Sequence, residues 1–313
     1  MKKEIKVFAS ASVSNVACGF DIMGFAIDQP GDEVTLKLNE HPGVRITNIC
    51  GDSGKLPTDP AKNTAGAPVI ALLKYLGINA GIEMEIHKKM PLGSGLGSSA
   101  ASAVAAAYAL NQLLESGLSK EELLPFAIEG EKIASGAVHA DNVAPCLYGG
   151  FVLIRGYNPI DVIEIPVPEE LYCTILHTHI EINTLEARRI LPKEIPLMKA
   201  KTQWGNTAGL IAGLMKKDFG LVSRSLEDVI IEPVRASLIP GYGKIKGAAM
   251  ESGALGCNIS GSGPAVFALS TSIEKAGEIG KAMKMEVDNI DLESTVYISK
   301  INKQGPKVVE EKV

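Results

Sequence analysis

The chain has 313 residues, 46% of them hydrophobic and 21% charged, which is apolar material enough for a core and length enough for about two domains. That composition excludes a disordered polymer, and a formal charge of −5 supplies no basic face for nucleic acid. Thirty-two glycines, about 10% against a usual ~7%, follow no Gly-X-Y period, so collagen is excluded and the excess belongs to turns and sites of close backbone approach.

The first residues carry lysines but no apolar h-region, so no signal peptide is expected. The most apolar stretch, residues 100–114, is broken by Ser102, Asn111 and Gln112 and falls short of a membrane span. The five cysteines (Cys18, Cys50, Cys146, Cys173, Cys257) are far apart with no C-x-x-C pair, which indicates reduced, mostly buried thiols and neither zinc nor disulfides. The expectation is a soluble cytoplasmic protein.

Residues 4–9 and 33–38 alternate polar and apolar side chains, as half-buried strands do. Residues 64–76 place Val69, Ile70, Leu72, Leu73 and Leu76 at helical spacing and stop at Gly77, suited to the left-handed position after a helix. Ile82, Met84 and Ile86 alternate with Glu83, Glu85 and His87 and predict a strand. It runs into a glycine-rich loop, after which the alanine-rich residues 100–114 predict a helix. Ser119 and Glu122 have the spacing of a capping box for a further helix, which Pro125 is expected to kink or shorten. Prolines and short β-like pieces over residues 158–168 place a boundary there, with domains at 1–160 and 161–313. The second half reads as a strand at 172–177 and helices at 202–217, 221–231 and 242–252. A strand, Gly-rich turn and strand follow over 259–269, then a helix at 273–285 and a last strand at 295–301. The polar tail beyond Gln304 is expected to fray. Strands alternating with helices indicate an α+β fold.

The segment with the strongest chemical signal is Pro91-Leu92-Gly93-Ser94-Gly95-Leu96-Gly97-Ser98-Ser99-Ala100-Ala101. Its three glycines let the backbone bend sharply and turn amides inward as a nest for oxyanions, while Ser98 and Ser99 open a helix whose N-terminus favours phosphate. It lacks the Gly-Lys-Ser/Thr of a Walker A loop and the third glycine of a dinucleotide fingerprint. Lys88 and Lys89 just upstream could reach a phosphate, but read as exposed lysines at a strand end with no specific role. Asn15 and Asp21 flank Gly19 and could hold the ammonium and hydroxyl of a small polar substrate, or form an Asx turn between strands. His139, Asp141 and Asn142 could be a catalytic group or a structural hydrogen-bonded pair. Glu129 and Glu131 are two neighbouring carboxylates between which the residues alone do not choose.

Residues 91–101 resemble the second motif of the GHMP small-molecule kinases. Residues 12–24 (Ser-Val-Ser-Asn-Val-Ala-Cys-Gly-Phe-Asp-Ile-Met-Gly) resemble their first motif, in the form that homoserine kinases carry, and Asn258 to Phe267 their third. Residues 139–150 (His-Ala-Asp-Asn-Val-Ala-Pro-Cys-Leu-Tyr-Gly-Gly) look like the corresponding homoserine kinase segment. Thr184 to Arg188 with Leu191 and Pro192, and Glu232 to Arg235, match two further segments of that family. The resemblance implies a two-domain α+β fold with its site in the cleft between domains, and phosphorylation of L-homoserine by ATP with Mg²⁺. It makes Asn15, Asp21, His139, Asp141, Arg188 and Arg235 substrate contacts and puts Asn142 near the reacting hydroxyl. Residues 91–101 then bind the nucleotide, and Glu131 with Ser99, or its neighbour Ser98, holds the metal. Asp141 or Asp21 is a candidate base, but the family is thought to lack a dedicated one, so both aspartates are expected to bind substrate. The Gly-Ser turn within the third motif, Gly261 to Pro264, is expected to support the phosphate loop. A homodimer is an analogy from the family.

Overall fold

The computed structural model describes residues 2–135 and 139–313, and folds them around two sheets. The first holds β1 (Glu4–Ser14), β2 (Met23–Asn39), β3 (Gly43–Cys50), β4 (Gly81–His87), β5 (Phe151–Tyr157), β6 (Ile160–Ile165) and β11 (Lys307–Lys312). The second is the antiparallel sheet β10-β7-β9-β8, made of β7 (Tyr172–Thr178), β8 (Gly256–Ile259), β9 (Val266–Ser270) and β10 (Ser294–Lys300).

The long β2 organises the first sheet: Met23, Gly24 and Phe25 pair with β5, and Glu33 to Asn39 with β4. The order runs β11-β1-β2-β4-β3, with β6 beyond β5. β3 and β4 are parallel and joined through α1 (Gly66–Leu76), as a parallel pair requires a crossover. Two-residue alternation explains the layering. Ile5, Val7, Val34, Leu36, Ile82, Met84 and Ile86 point into the core, while Glu4, Lys6, Thr35, Lys37, Glu83, Glu85 and His87 line the opposite face.

Helices α2 (Ser98–Leu113), α3 (Lys120–Ser135) and α4 (Ala140–Tyr148) join α1 on the apolar face. α2 is buried nearly all round, which its run of alanines permits because small side chains let neighbouring backbones approach closely. Then come α5 (Thr184–Arg189), α6 (Leu197–Lys216), α7 (Phe219–Ser225) and α8 (Glu232–Arg235). α9 (Tyr242–Glu251) and α10 (Ile273–Asp288) close a second core around Leu176, Ile245, Ile279 and Met283. The other face of the second sheet turns to the first half. Cys173, Ile175, Phe267 and Leu269 join the main core, and Phe267 meets Phe25 edge-on at 5.9 Å.

Gly77 is left-handed (φ 65°) and ends α1 as expected. Ser119 and Glu122 form the reciprocal capping box, Ser119 N–H donating to Glu122 Oε2 (2.8 Å) and Glu122 N–H to Ser119 Oγ (3.2 Å). Three expectations fail. α3 is not shortened at Pro125 but runs on to Ser135, because the carbonyl that proline leaves unpaired belongs to exposed Glu121, where water can serve it. The helix expected over 221–231 stops at Ser225, since Asp228 accepts the amides of Ile230, Ile231 and Glu232 and turns the chain instead. The tail does not fray: it returns as β11 along the edge of β1, from Glu4↔Lys312 to Phe8↔Lys307. Its side chains are exposed, so its polarity marks an edge strand. Among the described residues the cysteines form no disulfide, and only Cys50 is exposed.

Candidate functional site

The glycine loop lies between β4 and α2 with Gly93, Gly95 and Gly97 all left-handed (φ 65°, 76° and 69°), which only glycine adopts without strain. Both halves of the chain grip it. Ser12 N–H donates to Leu96 O (3.1 Å), Ser260 Oγ to Gly95 O (2.6 Å) and Ala265 N–H to Ser94 O (3.1 Å). A β-carbon on Gly95 would lie 2.6 Å from Ser260 O, so the third motif packs directly behind the loop. Held this way, the loop lines the cleft beside the N-terminus of α2, whose N-cap is Gly97 and whose first-turn N–H groups have no intrahelical partner.

Lys88 is not the exposed lysine that its position at a strand end suggests. Its side chain is 2% accessible, sits under the loop and pairs with fully buried Asp32. Its ammonium also donates to Ser98 O (2.8 Å) and Ser102 Oγ (2.7 Å), while Asp32 accepts from Ser98 Oγ (2.8 Å) and from the amides of Lys89 (2.8 Å) and Met90 (3.1 Å). Burial pulls the Lys88 ammonium below its usual range and the Asp32 charge works against that fall. Replacing Lys88 by methionine leaves a buried carboxylate without its cation. A loss of about 3–5 kcal/mol is expected, read as a lowered denaturant midpoint.

The N-terminal segment is pinned from several sides. Asn15, Val16 and Ala17 are successive left-handed residues (φ 69°, 41° and 59°), a costly arrangement for residues with side chains. It is held because Asn15 Nδ2 donates to Gly261 O (2.8 Å), Asn15 Oδ1 accepts from Asp21 N–H (3.1 Å), and Cys18 O accepts from Gln203 (3.2 Å) and Thr207 (2.9 Å) of α6. The result projects Asp21 at Arg188, whose guanidinium grips it with two 2.8 Å bonds. Arg235 is buried, bonds to Gly261 O (2.9 Å) and Ala187 O (3.3 Å), and with Arg188 lies over the Phe20 ring.

α4 delivers the remaining groups. His139 Nδ1 is 3.8 Å from Asp21 Oδ1, and ligand atoms of Asp21, His139 and Asp141 lie within 4.8 Å of one another. Burial lowers the His139 pKa and pushes Asp141 up to about 7, with the charges of Asp21 and Glu131 adding to the latter. Ser12 Oγ donates to Asn142 Oδ1 (2.8 Å) and Asn142 Nδ2 to Ser14 Oγ (3.0 Å), which fixes an amide that lines the cleft and leaves one Nδ2 hydrogen unused. Across the loop, Ser99 Oγ donates to buried Glu131 Oε2 (3.1 Å).

These groups line one cleft of about 460 Å³ between the two halves. It brings together Asn15, Asp21, His139, Asp141, Asn142, Arg188, Arg235, Ser99 and Glu131 with Leu92, Gly93, Ser94, Gly95, Gly97 and Ser98. Pro91, Leu96, Ala100 and Ala101 do not line it: the last three are in the core, and Pro91 faces a neighbouring cavity. Of the two serines at the head of α2, Ser98 is engaged by Asp32 and Ser99 faces Glu131. Glu129 pairs with Lys132 instead and does not line the cleft. Sequence reasoning missed Ser12 and Ser14 as the props of Asn142, Phe20 beneath the arginines, and Lys55, Leu56, Pro57 and Glu181 on the walls. The serines left one signal, their alternation along β1 toward the loop.

The GHMP kinase N-terminal domain family model matches residues 63–150 and the GHMP kinase C-terminal model residues 210–288. The homoserine kinase of Chlorobium phaeobacteroides strain BS1 is 52% identical over 98% of this chain and all of that protein. The crystal structure of homoserine kinase from Cytophaga hutchinsonii superposes with a TM-score of 0.97 at 59% identity, covering 99% of this chain and 98% of that one. The fold also matches an L. major mevalonate kinase solved with R-mevalonate, at a TM-score of 0.72 and 19% identity over 95% of this chain and 96% of that one. With both family halves in order and relatives matched along its whole length, the chain belongs to the GHMP kinases, in the branch formed by the homoserine kinases.

Proposed function

We propose that the cleft takes L-homoserine and ATP side by side and yields O-phospho-L-homoserine and ADP, a step toward threonine. The observation that carries this is the juxtaposition of two subsites. An amide nest at a helix N-terminus adjoins a compartment where Asp21, Asp141, Arg188 and Arg235 converge. A zwitterionic amino acid has that charge pattern in reverse. Its ammonium suits the Asp21 and Asp141 carboxylates, and its carboxylate suits the guanidinium forks over Phe20. Asn15 and His139 close the same compartment.

Phosphoryl transfer needs positioning and neutralisation of charge more than covalent help. The loop amides from Leu92 to Ser99 would cradle the phosphates, and Asn142, immobilised by Ser12 and Ser14, would orient the attacking hydroxyl. With both aspartates committed to the ammonium, the hydroxyl proton passes to a phosphate oxygen. Ser99 and buried Glu131 are an oxygen pair of the type hard Mg²⁺ prefers beside phosphates, and they fit that ion. Bound there, Mg²⁺ would neutralise phosphate charge. Glu131→Gln is expected to lower kcat on the order of 100-fold and raise the Mg²⁺ concentration needed for half-maximal rate, measured by magnesium titration of turnover.

We also propose that the enzyme works in the cytoplasm as a homodimer. We place the division between the domains near residue 160, with β6 and β11 still pairing into the N-terminal sheet. No helix among the described residues is long and apolar enough to cross a membrane. A coupled ADP-release assay with homoserine, mevalonate, shikimate and galactose tests the acceptor. Turnover of mevalonate but not homoserine would sink the reading, since only an amino acid has an ammonium for Asp21 and Asp141.

A further inference from the structure

Lys55 follows β3 and Glu181 follows β7, so they come from opposite halves of the chain. Their side chains meet across the cleft, Nζ 2.8 Å from Oε2, each about half exposed. Both also line a second cavity of about 480 Å³, so the pair stands on the partition between the two spaces. Glu181 lies against the first glycine of the phosphate loop: a β-carbon on Gly93 would be 2.7 Å from its Cγ. A carboxylate there is a poor neighbour for a polyphosphate unless a cation is at hand.

The loop itself, residues 91–101, contains no basic residue. The other cations on the cleft wall are already engaged. Lys88 is locked to Asp32 beneath the loop, Arg188 grips Asp21, Arg235 is held by two carbonyls, and Lys62 pairs with Asp59. Among the described residues, Lys55 alone pairs with an exposed carboxylate that lies against the loop, since Asp32, which reaches the loop through Ser98, is fully buried. A half-exposed ion pair is worth about 0–1 kcal/mol, so it is readily exchanged for a ligand bearing several negative charges.

We propose that Lys55 is a nucleotide-phosphate contact that Glu181 holds in place until a nucleoside di- or triphosphate arrives and draws it across to the loop. This rests on the reading of the cleft as an ATP site. Ligand-free, the pair ties the two halves together; with nucleotide bound, the tie is exchanged for a phosphate contact.

The test is calorimetric binding of ADP, AMP and adenosine to the full chain. Lys55→Met is expected to weaken ADP about tenfold, the size of a lost charged hydrogen bond, while adenosine binding stays within about twofold. Lys55→Arg should recover most of the loss. Glu181→Gln frees the lysine and should tighten ADP about threefold. A tie that is only structural predicts that Lys55→Met and Glu181→Gln weaken all three ligands alike, and that result would overturn the proposal. So would unaltered ADP affinity in Lys55→Met. If the wild-type protein bound no ADP at all, the ATP reading would fall and this proposal with it.

Discussion

Gly97→Ala is expected to cut kcat/KM on the order of 100-fold or more while leaving the fold in place. Two effects combine at this one residue. Its φ of 69° costs a residue with a side chain about 1–2 kcal/mol, and the new β-carbon would fall 2.2 Å from Ser12 Oγ and 2.8 Å from Asn142 Oδ1. Those two atoms form the 2.8 Å hydrogen bond that fixes Asn142, so the methyl group wedges the glycine loop away from the group proposed to orient the hydroxyl. A shift of about 1 Å in a positioned reactant is enough for a loss of that size. Gly77→Ala is the control: φ is 65°, but nothing lies within 4 Å of its β-carbon. It should lower the unfolding free energy by about 1–2 kcal/mol, read as a lowered denaturant midpoint, and leave kcat/KM unchanged. Equal activity in both variants would show that the clash carries no weight.

Asp141→Asn is expected to separate binding from stability. Losing a charged partner for the substrate ammonium should raise KM for homoserine by about 30–100-fold, with kcat falling much less. A collapse of kcat at unchanged KM would instead make Asp141 a base. Without ligand the same variant should be the more stable protein at neutral pH. Burial pushes the Asp141 carboxyl up to about 7 in the folded state, whereas the unfolded chain releases that proton near ~3.9. The group's favourable contribution is therefore complete below about pH 4 and lost as pH rises to about 7. Asparagine does not titrate, so its advantage over aspartate grows across that window and levels off above it. Melting temperatures of both proteins at pH 5 and pH 8 check the trend, the gap being wider at pH 8. In the proposed binding mode, an arriving ammonium offsets the cost of burying this carboxylate.

Local rules were enough wherever a residue's neighbours in sequence are also its neighbours in space. The Ser119 and Glu122 capping box, the stop at Gly77 and the strand–loop–helix from Ile82 to Leu113 follow from periodicity and caps. The tail and the end of α7 escaped those rules because their partners are remote. β11 is a strand only because β1 offers an open edge some 300 residues earlier in the chain, and Asp228 takes over the backbone amides after α7. Lys88 looked exposed for the same reason. Its two lysine-strand neighbours say nothing about Asp32, which lies 56 residues away and fully buried.

The candidate site divides along the same line. The chain's order of residues determined the glycine loop, the phosphate chemistry proposed for it and the family segments carrying Asn15, Asp21, His139, Asp141, Asn142, Arg188 and Arg235, because a tight turn and a motif are short-range features. Only the tertiary structure decided that Arg188 grips Asp21 across 167 residues, that Ser12 and Ser14 hold Asn142, that Ser99 rather than Ser98 faces Glu131, and that Lys55 meets Glu181 between the halves. Those pairings depend on two sheets closing on a shared core, and the distances that make a carboxylate titrate near neutrality or a lysine exchangeable exist only once that closure has happened.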